Sequence, residues 1–474
     1  MSAAELVALV CCDLGAIVRG RSVFLSELDR QLEAGVGWVP ANQALTPLGP
    51  VAEPNPFGST GDLRLLPDPA THVRVGPDLN EGAGAPIGGS GALEFLLCDI
   101  VETDGRPWAC CPRHFLREAL MRLDDELGAR VVASFEHEFQ LRAAPGRPAL
   151  AHHHTPAGAP APPAPPGPPL AGPHSPLPFS LEAIRVAEPF AGNVMAALVE
   201  AGVQPERFFA EYAANQFEIP VDVTDGLASA DRSVVFREVV REIARRQGLR
   251  ASFSPMLDLD DAGNGVHIHF NLRDGQGASL LYDAAGPACL SELGGRFAAG
   301  ILRHARALNA FTAPSPVSAA RLQPHRWSAG AVCLGRQNRE ALLRIAPLVE
   351  LGGGDPAAQF HLEYRGADAA ANPYLALAAL LLAGLAGVRA ELPRPPLLER
   401  DPAELDAEEV ELYRVGALPA SLEAALGALE EDEIARAWMN PLLHEAYLSV
   451  KRAEVAAVSE WEPAERCRRY AEIY

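Results

Sequence analysis

Residues 131 to 141, Val131-Val132-Ala133-Ser134-Phe135-Glu136-His137-Glu138-Phe139-Gln140-Leu141, alternate in character almost residue by residue. An extended strand sends neighbouring side chains to opposite faces, so this pattern leaves little choice of local structure. One face takes Val131, Ala133, Phe135, Phe139 and Leu141, and the other takes Ser134, Glu136, Glu138 and Gln140. His137 is the one polar residue on the apolar face and reads as a core histidine with its hydrogen bonds satisfied. Two glutamates side by side raise each other's pKa unless a cation sits between them. A solvated outer sheet face accommodates them equally well, and this strand alone leaves both readings open.

A second strand tips the balance. In Gly265-Val266-His267-Ile268-His269-Phe270-Asn271-Leu272, residues His267, His269 and Asn271 share a face. A His-x-His pair projects two imidazoles the same way, about 6 to 7 Å apart, a spacing that suits a metal or a phosphate. The preceding Asp260 to Gly265 is a tight turn where backbone can approach a ligand closely. A third strand, His361-Leu362-Glu363-Tyr364-Arg365, puts His361, Glu363 and Arg365 on one face. Glu211 and Glu218 stand seven apart, and a turn at Ala214-Asn215 is needed to aim both at one site. Glu136, Glu138, Glu211, Glu218 and Glu363, with one or two imidazoles, form a hard-ligand set that suits Mg²⁺ or Mn²⁺. Arg321, Arg339, Arg344 and Arg365 beside such ions suggest a phosphate group held between them.

The rest of the chain bounds the setting. Its 474 residues are 48% hydrophobic and 21% charged, enough to bury a large core in two or three domains. The charge sum of -21 repels phosphate backbones and argues against nucleic acid as a partner. Eight cysteines without finger spacing read as reduced thiols, and the first twenty residues do not read as a signal peptide. The longest apolar run, Tyr374 to Val388, is shorter than a bilayer span and reads as a buried helix, so no membrane partner is expected. Cytoplasmic localisation follows as an expectation.

Short strand-like runs such as Gly61 to Asp68 and Thr71 to Val75 suggest a small sheet-rich domain over residues 1–105. Residues 106–474 form the second domain. Helices are predicted over Phe115 to Leu127, stopped by Gly128, and over Asp231 to Gln247, with Asp231 as N-cap and Gly248 as stop. Residues 145–178 are too rich in Pro and Gly for helix or sheet and read as an inserted loop. Its His152-His153-His154 triplet reads as a solvated surface feature, since nothing orients the rings. From about Asp401 onward, charges and Leu/Ala at helical spacing predict helical packing or assembly surface.

Taken in order, these blocks resemble the glutamine synthetase family. They are Glu136-His137-Glu138-Phe139, Glu211 to Glu218 with Gln216, Gly263 to His269, Arg321-Leu322-Gln323-Pro324, Asn338-Arg339 through Arg344-Ile345, Glu363-Tyr364-Arg365 and Asn372-Pro373-Tyr374. The resemblance implies an α+β fold, with an N-terminal β-grasp domain and a glutamine-synthetase-type catalytic domain of curved antiparallel sheet and helices. It implies ATP as co-substrate and two or three Mg²⁺ or Mn²⁺ ions per active site. Glu138, Glu211 and Glu218 would hold one ion, and Glu136, His267 and Glu363 another. Arg321 and the backbone around Gly265 would grip glutamate. Arg339 and Arg344 would contact phosphate, Arg365 would face the reacting γ-carboxylate, and His269 and Asn271 would lie toward the nucleotide. Arg339 and Arg365 are the residues assigned to catalysis. A dodecamer of two stacked rings, with active sites between neighbours, is the implied assembly.

The sequence departs from that family where ammonium is handled. Counting from Arg321, Trp327 stands where authentic members carry a glutamate that closes over ammonium. An indole cannot supply that negative charge, but it offers an apolar or cation-π wall to an alkylamine. His361 stands where an ATP-contacting arginine is common, and no Asp-Gly-Ser-Ser segment is found in the N-terminal domain. The reading is an ATP-dependent ligase that forms a γ-glutamyl amide through γ-glutamyl phosphate, with glutamate, ATP and an organic amine such as a polyamine as its partners. Authentic glutamine synthetase is the nearer alternative. A metal-dependent amidohydrolase and a non-catalytic family scaffold are the remoter ones.

Overall fold

Two sheets organise the chain, and the computed structural model describes residues 5–77, 91–143, 177–326 and 328–474. The histidine triplet at 152–154, nearly all of the 145–178 insertion and Trp327 lie outside the described residues.

The smaller sheet has six strands: β1 (Leu6–Cys12), β2 (Val18–Phe24), β3 (Val36–Trp38), β4 (Leu63–Pro67), β5 (Val73–Val75) and β6 (Leu93–Glu102). Their order is β2-β1-β6-β4-β3, with β5 also on β6. β1 and β6 run parallel at the centre, and the other pairs are antiparallel. Helix α1 (Leu28–Ala34) lies between β2 and β3 in sequence. A small N-terminal sheet is what the short alternating runs predicted.

Helix α2 (Pro112–Leu127) starts about one turn earlier than predicted, because a proline in the first turn gives up only an N–H that the helix does not use. It stops at Gly128, whose φ of 61° is the left-handed conformation that glycine adopts without steric cost. Ten strands then form the larger sheet: β7 (Arg130–Ala143), β8 (Phe209–Ala210), β9 (Gln216–Ile219), β10 (Thr224–Asp225), β11 (Leu249–Ser252), β12 (Val266–Arg273), β13 (Ala331–Arg336), β14 (Ala341–Ile345), β15 (Leu362–Tyr364) and β16 (Leu397–Leu398). The path is β16-β13-β14-β15-β12-β7-β9-β8, with β10 and β11 also on β7. From β14 to β8 the pairing is antiparallel, as predicted. At the edge, β13 runs parallel to β14 and β16, so the sheet is mixed. Alternation within a strand reports its faces and says nothing of its neighbour's direction.

Helix α3 (Gly226–Arg246) corrects the sequence reading of Asp231. Asp231 is not an N-cap. It lies inside the helix, where its carboxylate accepts a fork from Arg113 Nε and Nη2 at 2.9 and 2.8 Å. The sequence reading missed this start because, Leu227 apart, Gly226 to Ala230 are small residues that give no apolar periodicity to read. Arg113 also reaches Asp68 at 2.7 Å and Asp99 at 3.0 Å, which belong to the smaller sheet and its adjoining turn. Tyr374 donates to Asp231 at 2.7 Å from helix α4 (Pro373–Arg389), the predicted apolar helix, which is buried over nearly all its length. Among the described residues no helix is long and apolar enough to cross a membrane. Helices α5 (Pro441–Ala457) and α6 (Pro463–Tyr470) close the C-terminal region. There Lys451 and Glu454 pair at 2.9 Å with no solvent exposure, and Tyr470 donates to Glu454 at 2.8 Å.

The core side of β7 holds His137 as read, but only one of its ring nitrogens is paired, and Nδ1 is buried without a hydrogen-bond partner. His137 is buried, stacks on Phe236 with ring centroids 4.8 Å apart and pairs through Nε2 with Ser233 Oγ at 2.9 Å. Burial and the nearby Arg237 hold its pKa well below the usual range, so the ring is neutral. All eight cysteines are free thiols.

Candidate active site

Strand register does most of the assembly. Glu136 on β7 lies opposite His267 on β12, and His269 lies opposite Glu363 on β15. Glu363 in turn lies opposite Arg344 on β14, and Glu138 opposite Glu218 on β9. Directly opposed residues in an antiparallel pair have Cβ atoms about 5 Å apart and share a face. Four cross-strand pairs therefore bring onto one patch residues that the sequence spreads from 136 to 363.

The contacts follow that register. His267 Nδ1 pairs with Glu136 Oε2 at 3.0 Å and lies 3.6 Å from Glu363 Oε1. His269 Nε2 meets the same Glu136 oxygen at 3.3 Å. Glu363 accepts from Arg344 Nη1 at 2.7 Å and from Arg365 Nη1. Burial opposes its ionisation, but Arg365, His269, His267 and Arg344 outweigh that and bring its pKa down to about 2. Burial likewise works against Glu136, yet hydrogen bonds from His267 and His269 hold its carboxyl well below the usual range.

The other carboxylates show the opposite trend. Burial, followed by repulsion from Glu138, pushes the Glu211 pKa up to about 8. Burial and the adjacent Glu136 raise Glu218 well above the usual range. Such groups want a cation. Ligand atoms of Glu136, His269 and Glu363 lie within 4.8 Å of one another, and His267 Nε2 is buried without a hydrogen-bond partner. Oxygen donors with imidazole nitrogen, crowded and short of positive charge, fit a hard divalent ion. His269 thus sits nearer this group than its expected place toward the nucleotide suggests.

The turn at Ala214-Asn215 forms as required, with Asn215 at a φ of 54°. Gln216, buried on the same face of β9 as Glu218, holds the carboxylate wall in place. Its Nε2 donates to Glu138 Oε2 at 3.2 Å, Gly263 O at 2.8 Å and Asn264 Oδ1 at 2.9 Å. Glu138 Oε2 also accepts from Gly265 N at 2.8 Å. Sequence reasoning placed Gln216 in its block but gave it no role. Its two-residue spacing from Glu218 was the available signal.

Arg321 runs beside the glycine turn. It is buried and donates to Ala367 O at 2.7 Å. A Cβ on Gly263 would lie 2.7 Å from Arg321 Cγ, and one on Gly265 would lie 2.9 Å from its Nη1. Both glycines are required by this close approach. Burial lowers the Arg321 pKa, and the buried Asp368 works against that fall. Arg339 is exposed, and its carbonyl accepts from Arg365 Nε at 2.9 Å.

Next to the cluster is a cavity of about 330 Å³ lined by Ser134, Glu136, Arg207, His269, Asn271 and His361, among others. Asn271 is fixed there, donating to Phe360 O at 2.7 Å and accepting from Ser279 Oγ at 2.8 Å. His361 packs on His269 with centroids 5.1 Å apart. Arg207 was missed in the sequence because it precedes β8 in a stretch with no periodicity to read. Tyr212, next after Glu211 in the chain and half-exposed, packs edge-on against Phe179 at 5.2 Å, and Phe179 stacks near Phe209 at 6.2 Å.

Comparison with known proteins agrees with this architecture along the whole chain. The profile described as "Glutamine synthetase, catalytic domain" matches residues 109–470, and "Glutamine synthetase N-terminal domain" matches residues 1–108. A Streptomyces coelicolor protein named "Gamma-glutamylpolyamine synthetase GlnA3" is 33% identical over 95% of this chain and 90% of its own length. A Methanocaldococcus jannaschii protein named "Glutamine synthetase" is 31% identical over 77% of this chain and 76% of its own. A solved structure titled "Crystal structure of novel glutamine synthase homolog" superposes with a TM-score of 0.85 at 42% identity, covering 100% of this chain and 99% of that one.

Proposed function

This chain belongs to the glutamine synthetase family of ATP-dependent ligases, and on that premise we propose that it joins the γ-carboxyl of glutamate to an organic amine. The observation that carries the reading is Glu363 held between Arg344 and Arg365 at the edge of a carboxylate and imidazole cluster. Such a site handles a migrating phosphoryl group, which a simple hydrolase has no use for.

Family members use ATP and divalent metals. A carboxylate does not acylate an amine at neutral pH, because the group leaving would be oxide. Transfer of the γ-phosphoryl of ATP to glutamate gives γ-glutamyl phosphate, and attack by the amine then expels inorganic phosphate. Divalent ions held there would neutralise charge on the migrating phosphoryl group. Glu138, Glu211 and Glu218 would hold one ion, and Glu136, Glu363 and His267 another, with His269 at its edge. Arg321 and the Gly265 backbone would orient glutamate. Arg339 and Arg344 would steady the phosphates, and Arg365 the γ-carboxylate where charge develops. Asn271, in the adjoining cavity, would face the nucleotide.

Two observations favour an organic amine over ammonium. By the resemblance, Trp327 stands where a glutamate would close over ammonium, and half-exposed Tyr212, next after Glu211 in the chain, packs on half-exposed Phe179. Aromatic surface attracts the cationic end of either acceptor, but only an organic amine brings an alkyl chain to bury against it. The relative named as a γ-glutamylpolyamine synthetase supports the same choice. Authentic glutamine synthesis is the second reading, favoured by the relatives that bear that name. ADP release measured over a panel of ammonium, monoamines, ethanolamine and polyamines separates the two. The highest kcat/KM should fall to an organic amine, and ammonium outperforming all of them refutes the proposal. A ring assembly of the kind implied by the family belongs to the same proposal, and light scattering of the purified chain tests it.

A further inference from the structure

One hydrogen bond fixes the buried guanidinium of Arg321: its Nη2 donates to Ala367 O, while Nε is buried with no partner among the described residues. The residue after Ala367 is Asp368, 1% exposed, and its Oδ2 is likewise buried and unpartnered. The rest of this aspartate is firmly set. Its Oδ1 accepts from Ala370 N at 3.0 Å, and its own N donates to Thr312 O at 2.9 Å. Burial apart, Asp368 is the strongest electrostatic influence on Arg321, and Arg321 the strongest on Asp368. An unpaired donor and an unpaired acceptor thus belong to opposite charges that attract each other inside the protein.

A second ion pair stands behind this one. Lys451 and Glu454 on α5 meet at 2.9 Å with no solvent exposure, and Tyr470 on α6 donates to Glu454 at 2.8 Å. Lys451 also favours the ionised form of Asp368. Asp368 therefore lies under two cations, one from the candidate site and one from the C-terminal helices. None of Asp368, Lys451 and Glu454 lines the cavity beside Glu136 and His269. Packing alone is a poor reason for such a group, because apolar residues of similar volume stabilise a core as well as a buried ion pair does, or better. The chain from Asp368 back to Arg365 is three residues long, so one short stretch of backbone sets both arginines assigned to glutamate.

We propose that Asp368 is the positioning residue of the glutamate subsite: its carboxylate holds the Arg321 guanidinium toward a carboxylate of the substrate, and Lys451, held in turn by Glu454, keeps Asp368 in place. The inference rests on the assignment of Arg321 to glutamate. Loss of the Asp368 charge removes a competitor for Arg321 as well as its anchor. With a single hydrogen bond left, misorientation of the guanidinium outweighs the gain, since a shift of about 1 Å in a binding group can cost up to about a hundredfold.

Steady-state ADP release by the full chain, read with ammonium and with the best organic amine alike, gives KM for glutamate, KM for ATP and kcat. Asp368→Asn keeps the shape and removes the charge. It should raise KM for glutamate about tenfold and change KM for ATP and kcat by less than about twofold. Arg321→Ala should raise KM for glutamate at least as far, and adding Asp368→Asn to it should raise KM no further, because the aspartate acts through the arginine. Lys451→Met combined with Glu454→Gln removes the rear pair without orphaning a charge, and denaturant unfolding checks that this chain is folded. It should raise KM for glutamate about threefold, reading the same positioning from its other end. An unchanged or lower KM for glutamate in Asp368→Asn or in the Lys451 and Glu454 double variant overturns the inference. So does an equal rise in KM for ATP, or an effect of Asp368→Asn that persists in the Arg321→Ala background. Should Arg321→Ala itself leave KM for glutamate unchanged, the assignment of Arg321 fails and the inference falls with it, a result distinct from failure of Asp368→Asn alone.

Discussion

Glu363 and Arg344 face each other across the antiparallel pair β14 and β15 and meet at 2.7 Å, while Arg365 takes the other oxygen of the same carboxylate. One buried acid thus serves two guanidiniums and a cation-seeking cluster at once. Removing its charge leaves two buried arginines without their counter-ion. Glu363→Gln should lower kcat/KM by about a hundredfold or more and weaken Mn²⁺ binding. Glu363→Ala should also cost about 3–5 kcal/mol of stability. Steady-state kinetics, metal titration and denaturant unfolding read these effects, and near-normal activity in Glu363→Gln would contradict the assignment.

Gln216 touches Glu138, Gly263 and Asn264 with a single amide nitrogen. Replacing it by leucine removes a donor from all three acceptors and leaves Glu138 held by Gly265 N. Gln216→Leu should weaken divalent-ion affinity by about 10- to 100-fold, as loss of a group that orients a metal ligand does elsewhere. Titration of Mn²⁺ by electron paramagnetic resonance measures this directly. Unchanged affinity would reduce Gln216 to a packing residue.

Gly265 leaves room for Arg321, and an added Cβ would stand 2.9 Å from its Nη1. Gly265→Ala displaces the guanidinium and should raise KM for glutamate by about tenfold, leaving KM for ATP nearly unchanged. An equal rise in both constants would show that the turn acts on the whole site.

Burial pushes the Asp368 carboxyl up to about 6 despite the nearby Arg321. Its unfolded value is about 3.9, so the folded chain binds this proton more tightly. The stabilising contribution is complete below that value and is lost as the pH rises through about 6, on the order of 3 kcal/mol in all. Asp368→Asn keeps a neutral acceptor at every pH. Relative to this variant, the native chain should lose stability between about pH 4 and pH 7, as read from denaturant midpoints. Parallel pH profiles would contradict the shift.

Trp327→Glu introduces the charge that the family resemblance implies at this point of the sequence. It should raise ammonium kcat/KM relative to the preferred amine by about tenfold or more. The ratio from the ADP-release assay is the measure, and an unchanged ratio would remove Trp327 from acceptor selection.

The faces of β7, β12 and β15 were legible because a period of two is written into each segment. That alternation placed Glu136, Glu138, His267, His269 and Glu363 on polar faces and His137 in the core. It could not say which residue opposes which across strands, nor that β13 runs parallel to its neighbours. Asp231 was misread as a helix start because its partner, Arg113, lies 118 residues away. Gln216, Arg207 and the attraction between Arg321 and Asp368 depend on contacts between distant segments, and single-segment patterns carry no record of those.

Arg113 binds Asp68 and Asp99 on one side and Asp231 on the other, with Tyr374 behind. Rocking the two sheets against each other would tear several charge-assisted bonds at once, the pair with Asp231 buried and those with Asp68 and Asp99 partly so. The smaller sheet is therefore bolted to the frame that carries the chemistry, and freedom to adapt to a substrate has to come from the loops around the pocket.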